Sequence, residues 1–440
     1  MTIDRFIIDE LKQWKSAVRR KPLLLKGARQ IGKTWVMRQF GNECYKHTAF
    51  FDFDRQSELK TLFASTKEPK RILSELTLYC EVPIIPDETL IIFDEIQECE
   101  EAFNALKYFA DEAPEYHIIA AGSLLGVAVR KRRMTVPVGK VKVMRMYPLT
   151  FMEFLKSSDL ATYNWVTSLN ELSQLPLIIL NKLKSEYRRY QVCGGMPEAA
   201  VHLLDNDGIT AVDDALQDIL DMYELDFARY AEPREIPRIH SLWHSLPAQL
   251  SSENRKFIYK RIKQGARSKD YEDALMWLED AGMIYKINNV TKPGIPFDAY
   301  ADQSAFKIYV CDCGLLRKLA NLRAEAILEP ISNFTEFKGA LAENTILQNL
   351  LPVLKTNMPH YWTSDYQAEV EFIIQIGTEV VPIEVKAENC ISGRSLAIYN
   401  GKYNPSLRFR FSMLNYRKDD NLVNCPSPLA ELLLKSLILR

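Results

Sequence analysis

The residues best suited to chemistry form a glycine-rich segment near the start of the chain, Gly27–Thr34, which reads GARQIGKT. Gly27 and Gly32 let the backbone turn its N–H groups toward the phosphates of a nucleotide, and a helix that begins here would add the positive end of its dipole. Lys33 has the charge and length to contact the β- and γ-phosphates, while Thr34 offers its hydroxyl to Mg²⁺. The segment therefore predicts a nucleotide-binding loop that uses Gly27, Ala28, Arg29, Gln30, Ile31, Gly32, Lys33 and Thr34.

Carboxylates suited to hydrolysis follow a short apolar run, Thr89–Phe93. Such a run is typical of a strand that is buried on both faces. At its carboxyl end, Asp94 can support the Mg²⁺ shell through water, and Glu95 can orient or deprotonate the attacking water. Ser123 follows another apolar run, and we expect it beside the γ-phosphate as a polar sensor, although ordinary Gly-Ser turn chemistry also explains it. We therefore predict a nucleotide-hydrolysing site with a catalytic set of Lys33, Glu95 and Ser123 and a metal-binding pair of Thr34 and Asp94.

Five apolar runs separated by helical stretches are suited to position these side chains. The first begins at Leu23, and the other four are Thr48–Phe53, Thr89–Phe93, His117–Ala121 and Lys142–Tyr147. Strands that alternate with helices favour right-handed crossovers and a parallel sheet covered on both sides. The polar motifs all fall at the carboxyl ends of these strands, where parallel sheets bind nucleotides. The sequence therefore predicts an α/β domain built around a parallel sheet.

A second set of chemical groups lies near the end of the chain, in Glu369–Lys386. Two alternating runs around a glycine are typical of a β-hairpin. Period two places Glu369 and Glu371 on one face of the first strand, and Glu384 and Lys386 on one face of the second. Two carboxylates and a lysine suit a hard divalent cation and a group that positions water or offsets phosphate charge. We therefore expect a second divalent metal at Glu371 and Glu384.

Four segments give the chain a resemblance to a known family. They are GARQIGKT, IIFDEIQ (Ile91–Gln97), AAGS (Ala120–Ser123) and MYPLTFMEF (Met146–Phe154). Together they resemble the AAA-like P-loop ATPases, with their Walker A and Walker B motifs, whose members carry a further domain of unknown function at the C-terminus. The resemblance runs from about residue 23 to residue 433 and implies ATP as the nucleotide, Mg²⁺ as the cofactor and ATP hydrolysis as the activity. It leaves the oligomeric state open: relatives often complete one subunit's site with a neighbouring subunit, but the lysine at position 140 weakens that expectation.

One position departs from the family pattern. The family typically has a Gly-Arg pair before the MYPLTFMEF segment, and this chain has Gly139-Lys140. Lysine cannot supply the planar fork of arginine, so an arginine directed at the γ-phosphate would come from elsewhere. Arg145 and the basic run at residues 130–133 are the candidates, although a run of like charges is typical of a solvated loop.

The end of the chain resembles the PD-(D/E)xK restriction-endonuclease-like fold. Glu384-Val385-Lys386 matches the ExK element, and Glu371 stands where that fold usually has aspartate. Glu343 matches the glutamate of the first helix. The resemblance implies a candidate nuclease site formed by Glu343, Glu371, Glu384 and Lys386. Members of this fold often keep the sheet and lose the chemistry, so a recognition platform stays open as an alternative.

The middle of the chain is expected to be helical. A Gly-Gly pair in Tyr190–Pro197 can adopt positive φ and interrupts the helical pattern. Asp273–Tyr285 has apolar residues at near-helical spacing followed by a strand-like run, which favours a winged helix. The basic residues before it would contact DNA phosphates or form a solvated face. They are Arg255, Lys256, Lys260, Arg261, Lys263, Arg267 and Lys269.

The length of 440 residues predicts several domains, because one core rarely serves a chain of this size. We predict a P-loop AAA-like ATPase domain (1–155), a helical lid or linker (156–232), a winged-helix-like domain (233–300) and a C-terminal α/β restriction-endonuclease-like domain (301–440). The net charge of −1 gives the chain as a whole no bias toward nucleic acid or anionic membrane. Scattered cysteines, with no signal peptide or membrane-length apolar run, favour a cytoplasmic protein without membrane contact.

Two of the six histidines, His240 and His244, have the spacing of metal ligands on a helix. No third ligand lies nearby in the sequence, so we predict that both are ordinary surface or core residues.

Three functional hypotheses follow from these patterns. The first is an ATP-binding protein with Mg²⁺-dependent ATPase activity, in which the nucleotide state controls a C-terminal nuclease-like or DNA- or partner-recognition domain. The alternative is a metal-dependent DNA nuclease regulated by ATP. A second alternative is a non-catalytic, nucleotide-binding interaction protein, because the same residues serve binding and catalysis. DNA is the expected macromolecular partner, bound through the winged helix and the C-terminal domain.

Overall fold

A computed structural model describes residues 2–132, 139–252, 256–329, 336–364, 368–388 and 393–438. The chain divides into two compact units. The first, here called the P-loop unit, comprises Arg5–Met146 with the short segment Asp280–Gly282. The second, here called the large unit, comprises Met1–Asp4, Tyr147–Glu279 and Met283–Arg440. The finer division into four regions stays a prediction.

The P-loop unit contains a five-stranded sheet in the order β2-β3-β4-β1-β5. Every pairing between neighbouring strands is parallel. This arrangement confirms the parallel sheet expected from the sequence, and all residues of the two continuous apolar strands, β3 and β4, are buried. The strands are β1 (Leu23–Lys26), β2 (His47–Asp52), β3 (Thr89–Asp94), β4 (His117–Ala121) and β5 (Lys142–Arg145).

Helices and an aromatic core support this sheet. The helices are α1 (Ile7–Lys15), α2 (Lys33–Cys44), α3 (Glu58–Ser65), α4 (Pro69–Cys80), α5 (Glu100–Glu112) and α6 (Leu125–Arg132). Phe93 on β3 packs edge-on against Phe53 and Phe63, with both ring centroids 5.6 Å away. Edge-to-face aromatic pairs add to the energy of simple burial. The end of β3, which carries Asp94, is therefore anchored in the core.

The large unit begins with a run of helices. These are α7 (Phe151–Ser158), α8 (Leu160–Thr167), α9 (Leu177–Cys193), α10 (Pro197–Leu204), α11 (Ile209–Tyr230), α12 (Ile236–Leu250) and α13 (Ser268–Asp280), whose last residue belongs to the P-loop unit. Later helices are α14 (Cys313–Leu319), α15 (Glu325–Leu328), α16 (Glu336–Leu354), α17 (Arg394–Tyr403) and α18 (Ala430–Ile438). As expected, Gly194 has a positive φ of 69° and Pro197 begins α10.

An eight-stranded sheet completes the large unit, in the order β12-β13-β11-β10-β9-β8-β6-β7. The strands are β6 (Ile284–Val290), β7 (Ala301–Val310), β8 (His360–Thr363), β9 (Glu369–Ile376), β10 (Glu379–Val385), β11 (Arg408–Ser412), β12 (Arg417–Asp419) and β13 (Leu422–Pro426). β9 and β10 pair antiparallel, which confirms the predicted hairpin, and Gly377 at its turn has a φ of 59°. β11 pairs parallel with β10.

A buried polar network ties the helical part of the large unit to the region around α16. The Asp312 carboxylate caps α14 by accepting from Leu315 N at 3.0 Å. It also accepts from Gly195 N at 2.5 Å and from Gln348 Nε2 at 2.8 Å. A Cβ on Gly194 would lie 2.1 Å from Asp312 Oδ1, so the Gly-Gly turn is what allows this approach. Buried polar groups need such partners, because each unpaired group costs about 1–3 kcal/mol.

Candidate nucleotide site and C-terminal acidic site

The phosphate-binding loop between β1 and α2 depends on glycine and on close backbone packing. Gly32 has a φ of 88° and directly precedes α2, and Gln30 has a φ of 65°. A Cβ on Gly27 would lie 2.4 Å from Met146 O, so only glycine fits where the loop meets the chain after β5. Arg5 Nη1 also donates to Ile31 O at 2.8 Å. The loop is thus held in shape from both sides.

Lys33 is buried in this loop and binds its carbonyl groups. Its Nζ donates to Gly27 O at 3.0 Å and to Ala28 O at 2.7 Å. Burial lowers the pKa of Lys33 to about 8, against the attraction of Glu95 and Asp94. A bound phosphate would favour the charged ammonium, because an opposite charge nearby stabilises the ionised form.

Thr34 and Asp94 join the loop to the end of β3. The Thr34 hydroxyl donates to Asp94 Oδ2 at 2.7 Å, and only 5% of Asp94 is exposed. Burial raises the pKa of Asp94, against the hydrogen bond from Thr34. A hydroxyl and a carboxylate at this distance suit Mg²⁺, which takes oxygen ligands and keeps several waters. Residues predicted from two separate motifs therefore meet at one point.

The Glu95 carboxylate is held by two polar side chains. Gln97 Nε2 donates to Glu95 Oε2, and Ser123 Oγ donates to Glu95 Oε1 at 3.4 Å. The backbone of Glu95 is left-handed, with a φ of 49°, which turns the chain sharply after Asp94. A Cβ on Gly122 would lie 2.1 Å from Gln97 Oε1, so a glycine is required where Gln97 packs. Sequence reasoning missed Gln97, whose signal was its place in the IIFDEIQ segment.

A cleft of about 440 Å³ lies beside these groups. Its lining includes Thr34, Asp94 and Glu95, together with Arg38 and Asp52. The Arg38 guanidinium carbon lies 3.8 Å from the centroid of the Phe50 ring, so a cation–π contact holds the charge in place. Asp52 lies directly opposite Asp94 in the β2–β3 register and contributes to the raised pKa of Asp94.

The lysine at the position of the family's arginine and the arginines considered in its place have different surroundings. Lys140 forms an ion pair with Asp111 at the surface. Arg145 at the end of β5 is exposed. Arg130 Nε pairs with Asp280 Oδ2 at 3.2 Å. The side chains of residues 131 and 132 and all of Arg133 lie outside the described residues.

The C-terminal acidic residues lie in a network of opposite charges. Glu384, which is 1% exposed, accepts from Arg410 Nε at 2.8 Å and lies 3.2 Å from Lys386 Nζ. β11 carries Arg410, and the parallel register places it opposite Glu384. Glu371 is 9% exposed, and burial raises its pKa against the attraction of Lys386 and Lys307. The carboxylate of Glu384 is thus already partnered by two cations.

Glu343 lies beside a tyrosine and a lysine of β7. Its Oε2 accepts from the Tyr309 hydroxyl at 3.1 Å and lies 4.0 Å from Lys307 Nζ. Lys307 also pairs with Glu369. Within the described part of the chain, Glu343, Glu371 and Glu384 do not form a group whose ligand atoms all lie within 4.8 Å of one another. The second metal at Glu371 and Glu384 therefore stays a prediction.

The basic residues expected to contact DNA are on the surface. The six that the structure describes are all exposed, and Arg255 lies outside the described residues. Exposure fits a solvated face as well as a phosphate-binding face. The six are Lys256, Lys260, Arg261, Lys263, Arg267 and Lys269.

The sheet order, the glycine loop after β1 and the acidic pair at the end of β3 are features of a P-loop nucleotide-binding domain. Residues 19–155 match the family model described as AAA domain. Residues 184–326 match a Domain of unknown function (DUF8612), and residues 338–429 match a Domain of unknown function (DUF4143). The first match supports ATP binding with Mg²⁺, as the sequence predicted.

Several solved structures overlap with this chain in part. The Walker-type ATPase PABY2304 of Pyrococcus abyssi is 18% identical, with 72% of this chain and 96% of that chain covered and a TM-score of 0.43. The ORC2 protein of Aeropyrum pernix is 13% identical, with 74% and 94% covered and a TM-score of 0.36. The RuvB Holliday junction branch migration motor of Thermotoga maritima is 13% identical, with 64% and 89% covered and a TM-score of 0.29.

The comparison with curated proteins gave no match. Among the helices that the structure describes, none combines the length and the apolar character needed to cross a membrane.

Proposed function

We propose that the protein is an ATP-binding, Mg²⁺-dependent ATPase whose nucleotide state controls the large unit. The observation that carries this proposal is the 2.7 Å hydrogen bond from Thr34 to Asp94, because it brings the phosphate-binding loop to the acidic end of β3. ATP binds on the loop, with Lys33 at the β- and γ-phosphates and Thr34 as a ligand of Mg²⁺. Mg²⁺ offsets the charge that develops on the phosphates.

Hydrolysis in this proposal uses Glu95 as the group that orients or deprotonates water. Gln97 and Ser123 hold its two carboxylate oxygens, so the base is positioned by the protein. Asp94 supports the Mg²⁺ shell through water, consistent with its place beside the Thr34 hydroxyl.

Calorimetry with ATP and Mg²⁺ tests the binding step. The wild-type protein should bind, and Lys33→Ala should lose binding. Glu95→Gln should keep binding and lose turnover, because the amide accepts no proton from water. A wild-type protein that does not bind ATP would contradict the proposal, and unchanged hydrolysis in Glu95→Gln would remove Glu95 from the mechanism.

The segment Asp280–Gly282 supports control of the large unit by nucleotide. It belongs to the P-loop unit, where Asp280 pairs with Arg130 and a Cβ on Gly282 would lie 3.2 Å from Ala28 N. The same segment is covalently continuous with α13 and β6. A change in the phosphate-binding loop would therefore reach the chain that enters both elements.

A second candidate function is metal-dependent DNA cleavage by a restriction-endonuclease-like C-terminal domain. The observation that favours it is Lys386, whose Nζ lies 3.2 Å from the buried Glu384 at the end of β10. The pairing of Arg410 with Glu384 favours a recognition platform instead, since a cation already occupies one side of that carboxylate.

Cleavage assays separate these two roles. Single- and double-stranded DNA are incubated with Mg²⁺ or Mn²⁺ and the wild type or Lys386→Ala. Lys338→Ala is the matched control, because Lys338 also pairs with a carboxylate, that of Glu388. Cleavage that Lys386→Ala abolishes and Lys338→Ala keeps would establish the nuclease. Equal cleavage by all three proteins would exclude this site as its source.

The proposal has three further parts: DNA contact by a winged helix at residues 233–300, a cytoplasmic location and an oligomeric state. Exposed basic residues before α13 support the DNA contact. Binding through phosphates should weaken steeply with salt, with a slope that falls when Lys260 and Lys263 are replaced by glutamine. A slope unchanged by these substitutions would place any DNA contact elsewhere.

A further inference from the structure

We propose that Glu224, His240 and His244 form a binding site for a transition-metal cation of the Zn²⁺ class. The site lies in the large unit, where α11 supplies the glutamate and α12 supplies both histidines. One ligand atom from each residue lies within 4.8 Å of the other two. Structure thus supplies the third ligand that the sequence spacing lacked.

The two imidazoles are arranged as a pair. His240 and His244 are one turn apart on α12, and their rings are stacked with 13° between the planes and 6.3 Å between the centroids. Residues four apart on a helix lie on the same face, so both rings project from α12 on one side.

The carboxylate of Glu224 lies near a nitrogen of each ring. Its Oε2 lies 3.7 Å from His240 Nδ1, and its Oε1 lies 3.0 Å from His244 Nε2. The three side chains therefore converge from two helices on one small volume. Small rotations about their side-chain bonds would bring all three donors to a common ion at the distances of about 2.0–2.2 Å that Zn²⁺ requires.

Aromatic rings pack against His240, and the three candidate ligands are partly exposed to solvent. The Phe227 ring, on α11, meets the His240 ring edge-on at 5.1 Å between centroids. Phe227 is itself fixed by Trp277, whose ring lies 5.2 Å away. The side chains of His240, His244 and Glu224 are 32%, 55% and 35% exposed, which leaves an entry path and room for water as a fourth ligand.

The donor set selects the class of metal. Two imidazole nitrogens and one carboxylate oxygen suit Zn²⁺ and its neighbours, whereas Mg²⁺ and Ca²⁺ prefer oxygen ligands alone. The site is therefore distinct in chemistry from the Mg²⁺ site expected at Thr34. A bound metal would link α11 to α12 and stabilise the folded large unit by mass action.

Metal titrations of the full chain test the proposal, using reduced protein freed of metal by a chelator. Zn²⁺ binding is measured by calorimetry, and Co²⁺ binding by its visible absorption. The test variants are Glu224→Gln and the double variant His240→Ala/His244→Ala. His202→Ala is the matched control, because His202 Nδ1 also lies beside a carboxylate, 2.7 Å from Asp207 Oδ2, with no second histidine in the contact.

The wild type and His202→Ala should each bind one Zn²⁺ ion. The double variant should lose this binding, and Glu224→Gln should bind Zn²⁺ at least tenfold more weakly. It also expects Zn²⁺ to raise the melting temperature of the wild type and not of the double variant. Equal Zn²⁺ binding by the wild type and the double variant would overturn it. Cobalt spectra with thiolate charge-transfer bands would overturn it too, because they would assign the metal to cysteines.

Discussion

Glu95 is the residue whose surroundings say most about catalysis. Its two carboxylate oxygens accept hydrogen bonds from Gln97 and Ser123. A base held in this way loses less conformational entropy when it is oriented for the reaction. In the proposed ATPase mechanism, Gln97 would therefore be a positioning residue, and Ser123 would share this task in addition to the sensor role predicted for it.

Replacing Gln97 by methionine tests this role with little change of side-chain size. The variant lacks the donor to Glu95, so turnover should fall about tenfold, or about 1.4 kcal/mol, while ATP binding stays unchanged. Phosphate release and calorimetry measure the two quantities. The matched control is Gln56→Met, because Gln56 lines the same cleft and binds the Asp52 backbone instead of Glu95. If both variants keep wild-type turnover, Gln97 has no catalytic role.

The lowered pKa of Lys33 predicts that ATP binding takes up a proton. With a pKa of about 8, Lys33 is mostly neutral at pH 8.5 and mostly charged at pH 7. The bound phosphates should raise this pKa, so binding at pH 8.5 should take up roughly three-quarters of a proton, and binding at pH 7 much less. Calorimetry in buffers of different ionisation enthalpy measures the uptake.

Lys33→Arg provides the control for this measurement. Arginine stays charged at both pH values, so its binding should take up no proton at pH 8.5. An uptake at pH 8.5 that persists in Lys33→Arg would assign the proton to another group.

The loop and the acidic residues could be singled out from the sequence because each lies in a short segment with its own pattern. Gly27–Thr34 and Asp94-Glu95 are recognisable locally, and the structure brings them together at Thr34 and Asp94. Gln97 was missed because its contact with Glu95 depends on the left-handed backbone of Glu95 and on the close packing of Gly122, and Glu224 was missed because its partners lie on another helix. The pairing of Glu384 with Arg410 could not be predicted either, because it depends on the parallel register of β10 with β11.

Strand β4 carries a buried histidine that should make the P-loop unit sensitive to acid. His117 Nε2 lies 2.9 Å from Asp87 Oδ1, and Nδ1 lies 2.7 Å from the Tyr45 hydroxyl. Burial lowers the pKa of His117 to about 4, with a further contribution from Arg20. Unfolded His117 has its ordinary pKa near 6.5, so the unfolded chain binds more protons between about pH 6.5 and pH 4.

Stability should therefore be lost as pH falls through this window. His117 contributes a slope of at most about 1.4 kcal/mol per pH unit. His117→Gln keeps a donor for Asp87 and does not titrate, so its thermal unfolding should depend less on pH between 4 and 6.5. Differential scanning calorimetry of the two proteins at several pH values measures this. Parallel pH profiles would show that other groups cause the acid sensitivity.

Elements were predictable where one pattern dominates a segment. The apolar runs of β3 and β4 predicted buried parallel strands, and the alternation in Glu369–Lys386 predicted the β9–β10 hairpin. The contact of Asp312 with Gly195 was not predictable, because it joins residues 117 positions apart and depends on the Gly-Gly turn. Polar cores of this kind are set by tertiary packing and leave little trace in local sequence.

In the molecule as a whole, the segment Asp280–Gly282 is the part of the P-loop unit that comes from outside its continuous stretch Arg5–Met146. Within that unit, a Cβ on Gly126 would lie 2.5 Å from Asp280 O, and a Cβ on Gly282 would lie 3.2 Å from Ala28 N. Because Ala28 is a loop residue, we expect the segment to respond when phosphates bind. Its covalent neighbours, α13 and β6, would carry that response into the large unit.

Gly282→Ala tests this expectation. Gly282 has a φ of 73°, and the added methyl group would press on Ala28 N, so ATP binding should weaken about tenfold, or about 1.4 kcal/mol. Gly265→Ala is the matched control, because Gly265 has a φ of 81° and a Cβ there would meet nothing within 4 Å. Both variants carry the same type of backbone strain, and only Gly282→Ala disturbs the loop.

Calorimetry measures ATP binding, and hydrogen exchange with and without ATP measures protection in residues 268–290. If the segment couples the loop to the large unit, ATP should protect residues 268–290 from exchange in Gly265→Ala and protect them less in Gly282→Ala. Equal ATP binding and equal protection in the two variants would refute this coupling.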